Sequence, residues 1–232
     1  MRTHYYSGWY DGNLPEPFAA SLREDITDKS SLAIIWGAWG IDEYANIAIN
    51  DWLNPANIIF EEYHAVDTRM DKSEAQDAVK NASVILLTGG DTIPQMDFIT
   101  DYGLDKAIKE SRANVIIGIS AGSHNMAKKY VDAANNNYES GERAVYDGLG
   151  LDDFAFVPYF SLGETVRHGL ESTKLIQNYL LPLSKEINIY AACDGASIRV
   201  KDGLVNVITG DVYLISGSAI NNYRGNNDSA DN

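Results

Sequence analysis

The sequence predicts an α/β protein: a parallel sheet covered by helices on both faces, a three-layer α/β/α sandwich, with an antiparallel hairpin near the C-terminus. Three observations predict it. Short, continuous apolar runs at 31–36 (SLAIIW), 83–87 (SVILL) and 114–119 (NVIIGI) lack the alternation of a half-solvated strand. They read as strands buried on both faces. Segments of helical spacing separate them, giving the alternation of parallel crossover units. Two glycine-rich turns, 88–92 and 118–122, directly follow apolar runs. They fall at the carboxyl ends of strands, where sites gather in such sheets.

The elements follow in order. Residues 3–10 read as a first short strand, closed by Gly8 or the Asp11-Gly12 turn. Pro15 and Pro17 suit the first turn of a helix reaching about residue 26. After the strand at 31–36 and a loop at 37–40, Asp42 opens a helix to about residue 53. A third strand is expected at 57–63 (NIIFEEY), and a helix from Asp71 or Ser73 to about residue 80. Beyond the strand at 83–87 come short helices near 94–100 and 103–111, the strand at 114–119, and a helix-like segment at 124–131. Asn135-Asn136-Asn137 is a polar break, and 138–147 reads as loop. A strand at 154–157 precedes a helix at 165–181. The end reads as antiparallel: strands at 187–191 and 196–200, the hairpin turn Lys201-Asp202-Gly203, then 204–208 and 212–215. Residues 1–223 are expected to form one domain, and 224–232 (RGNNDSADN) a disordered polar tail.

Composition bounds the function. The 232 residues can bury one substantial core. A net charge of −15, from 33 acidic and 18 basic residues, argues against nucleic acid and anionic membranes, which need a basic face. The one cysteine, Cys193, rules out an internal disulfide framework and fits a reducing compartment. With no apolar leader behind Met1 and no run long enough to span a bilayer, the cytoplasm is the expected location.

The chemistry centres on Gly118-Ile119-Ser120-Ala121-Gly122, a G-x-S-x-G pattern between a strand and a helix. Such an elbow puts the serine on a cramped turn, and side chains at the flanking glycines would collide with the neighbouring strand and helix. Ala121 N–H is one oxyanion donor by the geometry of an elbow. A glycine of the Gly89-Gly90-Asp91 turn is a candidate for the other, since glycine lets backbone N–H approach a ligand. A serine nucleophile also needs a base, usually histidine, and a group to orient it. The chain has four histidines: His4, His64, His124 and His168. None follows His168, which counts against an α/β-hydrolase, whose triad histidine comes after the last strand. A class I glutamine amidotransferase would carry cysteine where Ser120 stands.

The motifs, in order, are Thr88-Gly89-Gly90-Asp91-Thr92 behind an apolar strand, Gly118-Ile119-Ser120-Ala121-Gly122, Gly148-Leu149-Gly150-Leu151, and Cys193-Asp194-Gly195-Ala196-Ser197-Ile198. Over residues 30–218 this arrangement resembles the peptidase E and cyanophycinase family of serine peptidases, which have a glutamine-amidotransferase-like fold. The resemblance implies Ser120 as nucleophile and the Gly90 and Ala121 N–H groups as oxyanion hole. It implies a small peptide or amide as substrate, including peptides with an acidic first residue. It implies no cofactor and no metal, and a homodimer is compatible with it.

One departure stands out. The family's strand after G-L-G-L ends in the basic histidine, whereas here it ends Val157-Pro158-Tyr159-Phe160, with Tyr159 in the histidine's position. A phenol titrates near 10 against about 6.5 for imidazole, so its basic form at neutral pH costs about 4 kcal/mol more. His168, nine residues on, and His124, one turn past Ser120, are the substitutes within reach. The orienting acid is sought among Asp132, Glu139 and Glu142, with Glu139 closest by resemblance. Two readings remain open: a serine peptidase with an atypical triad (Ser120, Tyr159, Glu139, His168), or a catalytically impaired relative that binds a ligand or regulates.

Overall fold

In the computed structural model the described residues are 2–36, 40–132, 145–163, 166–167 and 170–225. In chain order the elements are β1 (Thr3–Ser7), α1 (Glu16–Asp25), β2 (Ser31–Ile35), α2 (Ile41–Asn46) running into a π-helical turn (Ile47–Leu53), β3 (Glu62–Val66), α3 (Lys72–Asn81), β4 (Val84–Leu87), α4 (Thr92–Asp101), α5 (Leu104–Glu110), β5 (Val115–Ile119), α6 (Ala121–Met126), β6 (Ala127–Val131), β7 (Val145–Asp147) and β8 (Asp152–Val157). Then come β9 (Val166–Arg167), β10 (Leu170–Glu171), α7 (Ser172–Leu175), a second π-turn (Ile176–Leu180), α8 (Leu181–Leu183), β11 (Ile189–Ala192), β12 (Ser197–Lys201), β13 (Leu204–Thr209), β14 (Val212–Ser216) and β15 (Ala219–Tyr223).

The expected layered α/β architecture is present. Among the described residues a seven-stranded sheet runs β13-β12-β1-β5-β4-β2-β3. Its strands β1, β5, β4, β2 and β3 are mutually parallel, and β12 and β13 are antiparallel at one edge. Strands β1, β2, β4 and β5 are buried along their whole length, as the solid apolar runs of β2, β4 and β5 require. One face of the sheet packs Tyr5, Leu32, Ile34 and Ile117 against Phe18 and Leu22 of α1 and Trp52 of the π-turn. The other face packs Tyr6, Ile85 and Ile116 against Val79 of α3, Phe98 of α4 and Ile108 of α5.

The sequence did not reveal a second sheet, six-stranded, in the order β15-β14-β11-β8-β6-β7. Its Phe154, Phe156 and Val212 share a core with Tyr6 and Ile198 of the first sheet. The structure corrects four expectations about single elements. Helix α6 stops at Met126, and Ala127–Val131 is strand β6, which seats Tyr130 against Tyr146 of β7 at 5.4 Å between ring centres. The apolar stretch 58–60 is loop rather than strand, with Ile58 and Phe60 buried and Ile59 exposed. Asn57 takes a left-handed φ of 58°, the Phe60 N–H bonds the Tyr63 hydroxyl, and β3 begins only at Glu62. The helix expected at 165–181 is preceded by the β9–β10 pair and starts at Ser172. Val212–Ser216 does not extend the β12–β13 hairpin, because Gly210 turns the chain at φ 67° and hands β14 to β11. Residues 226–232, the greater part of the expected tail, lie outside the described residues.

Candidate active site

Strand β5 ends at Ile119 and α6 begins at Ala121, so Ser120 carries the whole reversal. Its φ of 54° and ψ of −110° lie where a non-glycine residue is strained by about 1–3 kcal/mol. Hydrogen bonds hold it there. Ser120 N–H donates to Ser7 O at 2.8 Å, and His124 N–H donates to Ser120 O at 3.2 Å. Fully buried Ser123 ties the same corner: its Oγ accepts the Ser7 N–H at 2.9 Å and sits 2.7 Å from Gly118 O. Both elbow glycines are sterically required. A Cβ at Gly122 would lie 2.1 Å from Leu87 O, and one at Gly118 would lie 2.8 Å from Ser123 N and 2.6 Å from Met126 Sδ.

The second glycine turn lies against the first. Gly122 N–H donates to Thr88 O at 3.0 Å. A Cβ at Gly89 would stand 3.4 Å from Ser120 Cβ and 3.0 Å from Trp9 Cε3. Gly90 takes a φ of 129°, and its Cβ position is occupied by the Trp36 ring, whose Cη2 is 1.1 Å away. Gly90 is therefore fixed as glycine twice over, by backbone and by neighbour. Ala121 is the first residue of α6, directly behind the serine.

Tyr159 follows β8 and takes a left-handed φ of 60°. Its hydroxyl accepts the Trp9 N–H at 2.7 Å, and its Cε1 lies 3.0 Å from the Cβ position of Gly8. Ser7, the residue before Gly8, pairs with Ile119 in the β1–β5 register. The phenol thus lies at the end of β1, alongside the strand that delivers Ser120. Of the other candidates, His124 turns to the α4 side, its Nδ1 3.5 Å from Thr92 Oγ1 and its ring 5.8 Å from Tyr130. His4 bonds Asp152 at 2.7 Å, and His64 lies 3.5 Å from Glu62 on β3. Asp132 is buried just past β6. Glu139, Glu142 and His168 lie outside the described residues. The Cys193 thiol is pushed up by burial and then by Asp211 and Asp194, which suits an inert side chain. Among the described residues no group of three or more His, Cys, Asp or Glu could hold a metal ion, and no helix is long and apolar enough to cross a membrane.

Sequence reasoning missed the surroundings of the turn. Trp9 and Trp36 cover its glycines, and the buried amides of Gln95 and Asn125 lie beneath it. One signal for Gln95 was present: it stands three and four residues before Phe98 and Ile99, on the apolar face of α4, where a polar side chain needs partners.

Comparison with known proteins agrees with this fold. The chain is similar in structure to a peptidase from an acI-B1 Actinobacterium, with a TM-score of 0.72 and 18% identity over 97% of this chain and 95% of that one. It is also similar to a candidate peptidase E protein from Listeria monocytogenes EGD-e, with a TM-score of 0.61 and 17% identity over 89% of this chain and 98% of that one. At these identities the likeness concerns the fold. No curated protein matches the chain. The model of peptidase family S51 matches residues 42–208, a span that takes in both glycine turns, the elbow serine and Tyr159. The chain belongs to peptidase family S51.

Proposed function

We propose that the chain is a serine peptidase that cleaves a small peptide through an acyl-enzyme on Ser120. The observation that carries this reading is the strained Ser120 turn with the Gly89–Gly90 turn packed against it. In this reading Ser120 Oγ attacks the scissile carbonyl, and the oxyanion is received by the N–H groups of Gly90 and Ala121. A base must take the serine proton as the bond forms and return it to the leaving amine. Tyr159 occupies the base's position in the sequence, and Glu139 and His168 are the acid and the auxiliary base proposed with it. Peptides with an acidic first residue are the substrates to try first. The test is labelling of the full chain by a fluorophosphonate probe. Wild type should label and Ser120→Ala should not; equal labelling of the two would refute the reading.

A second reading is favoured by one contact. The Tyr159 hydroxyl accepts the Trp9 N–H at 2.7 Å, which uses the phenol oxygen structurally. A relative without an effective base would keep the pocket and bind peptides without turning them over. Removal of a triad member leaves about 10³–10⁴-fold catalysis from the oxyanion hole and binding. Calorimetric binding of a dipeptide with no detectable hydrolysis would favour this alternative.

A further inference from the structure

We infer that Gln95 and Asn125 form a buried clamp that fixes the Gly89–Gly90 turn relative to Ser120, making them positioning residues for the oxyanion donors. This rests on the serine-peptidase reading above. The turn lies between two carbonyls, Thr88 O at its start and Thr92 O at its end. Gln95 Nε2 donates to Thr88 O at 3.1 Å and reaches Ile35 O at 3.4 Å. Asn125 Nδ2 donates to Thr92 O at 3.0 Å and to Gln95 Oε1 at 3.0 Å. The two amides are thus bonded to each other, and each holds one end of the turn. Asn125 belongs to α6, the helix that begins behind Ser120, and Gly122 N–H of that helix also donates to Thr88 O, at 3.0 Å. Any shift of the turn relative to the elbow must break bonds at both ends.

The amides are buried, at 1% exposure for Gln95 and 0% for Asn125. Asn125 Oδ1 has no hydrogen-bond partner among the described residues. Turning the amide over would pair that oxygen with nothing better and would set it against Thr92 O and Gln95 Oε1, so the network fixes the orientation. An acceptor left without a partner in a dry site is a cost that an apolar residue would avoid. What the amide supplies is its two donors, and both go to the turn and its clamp partner. Catalytic donors must be set to within fractions of an ångström, and a misplacement of about 1 Å costs about 10²-fold in rate.

The experiment uses the full chain and three variants: Gln95→Met, Asn125→Leu and Gln95→Glu. Amide hydrogen exchange of the peptide covering 88–92 is measured together with the rate of fluorophosphonate labelling and the Tm. Gln95→Met and Asn125→Leu should speed exchange at 88–92 by about tenfold or more while exchange in β4 and β5 stays as in wild type, and should slow labelling about 10–100-fold. Gln95→Glu keeps the acceptor for Asn125 but can donate to Thr88 O only when protonated. Burial raises a carboxyl at this site, so the variant's labelling relative to wild type should recover at about pH 5 compared with about pH 8, a response that a purely space-filling role would not give. Unchanged exchange at 88–92 in both apolar variants overturns the clamp. So does labelling within twofold of wild type when wild type labels. If wild type does not label at all, the serine-peptidase reading fails separately, and the exchange result still decides whether the amides hold the turn.

Discussion

Ser120 and Tyr159 share a backbone habit that few non-glycine residues have: φ values of 54° and 60°, each just past the carboxyl end of a strand. Strain of this kind persists only when neighbours over-determine it. The strictest neighbour is Leu87 O, 2.1 Å from where a Gly122 Cβ would lie. Gly122→Ala should therefore lower the unfolding free energy by at least about 2 kcal/mol, read from the urea midpoint at constant m-value. Gly150→Ala is the control for a glycine with a positive φ of 63° and open space around it. For Tyr159, substitution by histidine keeps a residue type that tolerates positive φ and restores imidazole. Hydrolysis of an acidic dipeptide should rise about 10²–10⁴-fold in Tyr159→His. A wild type that is already fast, and as fast as Tyr159→Phe, would remove the phenol from the reaction. At this scale the sequence was legible where spacing has a steric cause, as in the elbow glycines. It was illegible for Asn125 and Trp36, whose partners come from distant segments, while Gln95 showed only as a polar residue on the apolar face of α4.

Elements are joined here by a few specific ties. Asp25, the last residue of α1, accepts hydrogen bonds from Tyr5 of β1 at 2.6 Å and from Arg199 Nε and Lys201 Nζ of β12, each at 2.7 Å. Burial alone would raise its carboxyl, but the donors of Arg199, Lys201 and Tyr5 outweigh burial and hold it below the usual value. A carboxyl depressed in the folded state adds stability above its unfolded value of about 3.9 and loses it as pH falls through the folded value. The acid limb of a stability–pH curve from urea unfolding should therefore be shallower in Asp25→Asn than in wild type below about pH 4. At pH 7, Asp25→Ala should cost about 3–5 kcal/mol, because it takes both short carboxylate bonds from a partly buried Arg199 and leaves it only the 3.5 Å contact to Glu24. The β12–β13 hairpin that presents Arg199 and Lys201 was legible from Lys201-Asp202-Gly203, with φ values of 57° at Asp202 and 76° at Gly203. The fate of β14 was not, because local turn chemistry does not say which sheet a strand joins.

At the largest scale, the two large sheets of the described residues meet at β1. Tyr6 of the first sheet donates to Asp152 of the second at 2.6 Å, and His4 bonds the same carboxylate oxygen at 2.7 Å. The parallel centre of the first sheet was legible because β2, β4 and β5 are solid apolar runs. The second was not: strands near β8, β11 and β14 were expected, but β6, β7 and β15 were not, and nothing local says that these strands join a sheet of their own. Ser120 leaves the first sheet and Tyr159 leaves the second, and the bond from Trp9 N–H to the Tyr159 hydroxyl spans the seam between them. If Ser120 and Tyr159 act together as proposed, the site is a fuse. Separation of the sheets by an ångström or two would disconnect its halves while each sheet still kept its ladder of hydrogen bonds. Heating should silence the protein before it melts: the midpoint for loss of fluorophosphonate labelling should lie several degrees below the midpoint from far-ultraviolet circular dichroism. Asp152→Asn, which weakens the seam alone, should widen that gap, and coincident midpoints in both proteins would mean that sheets and site fail together.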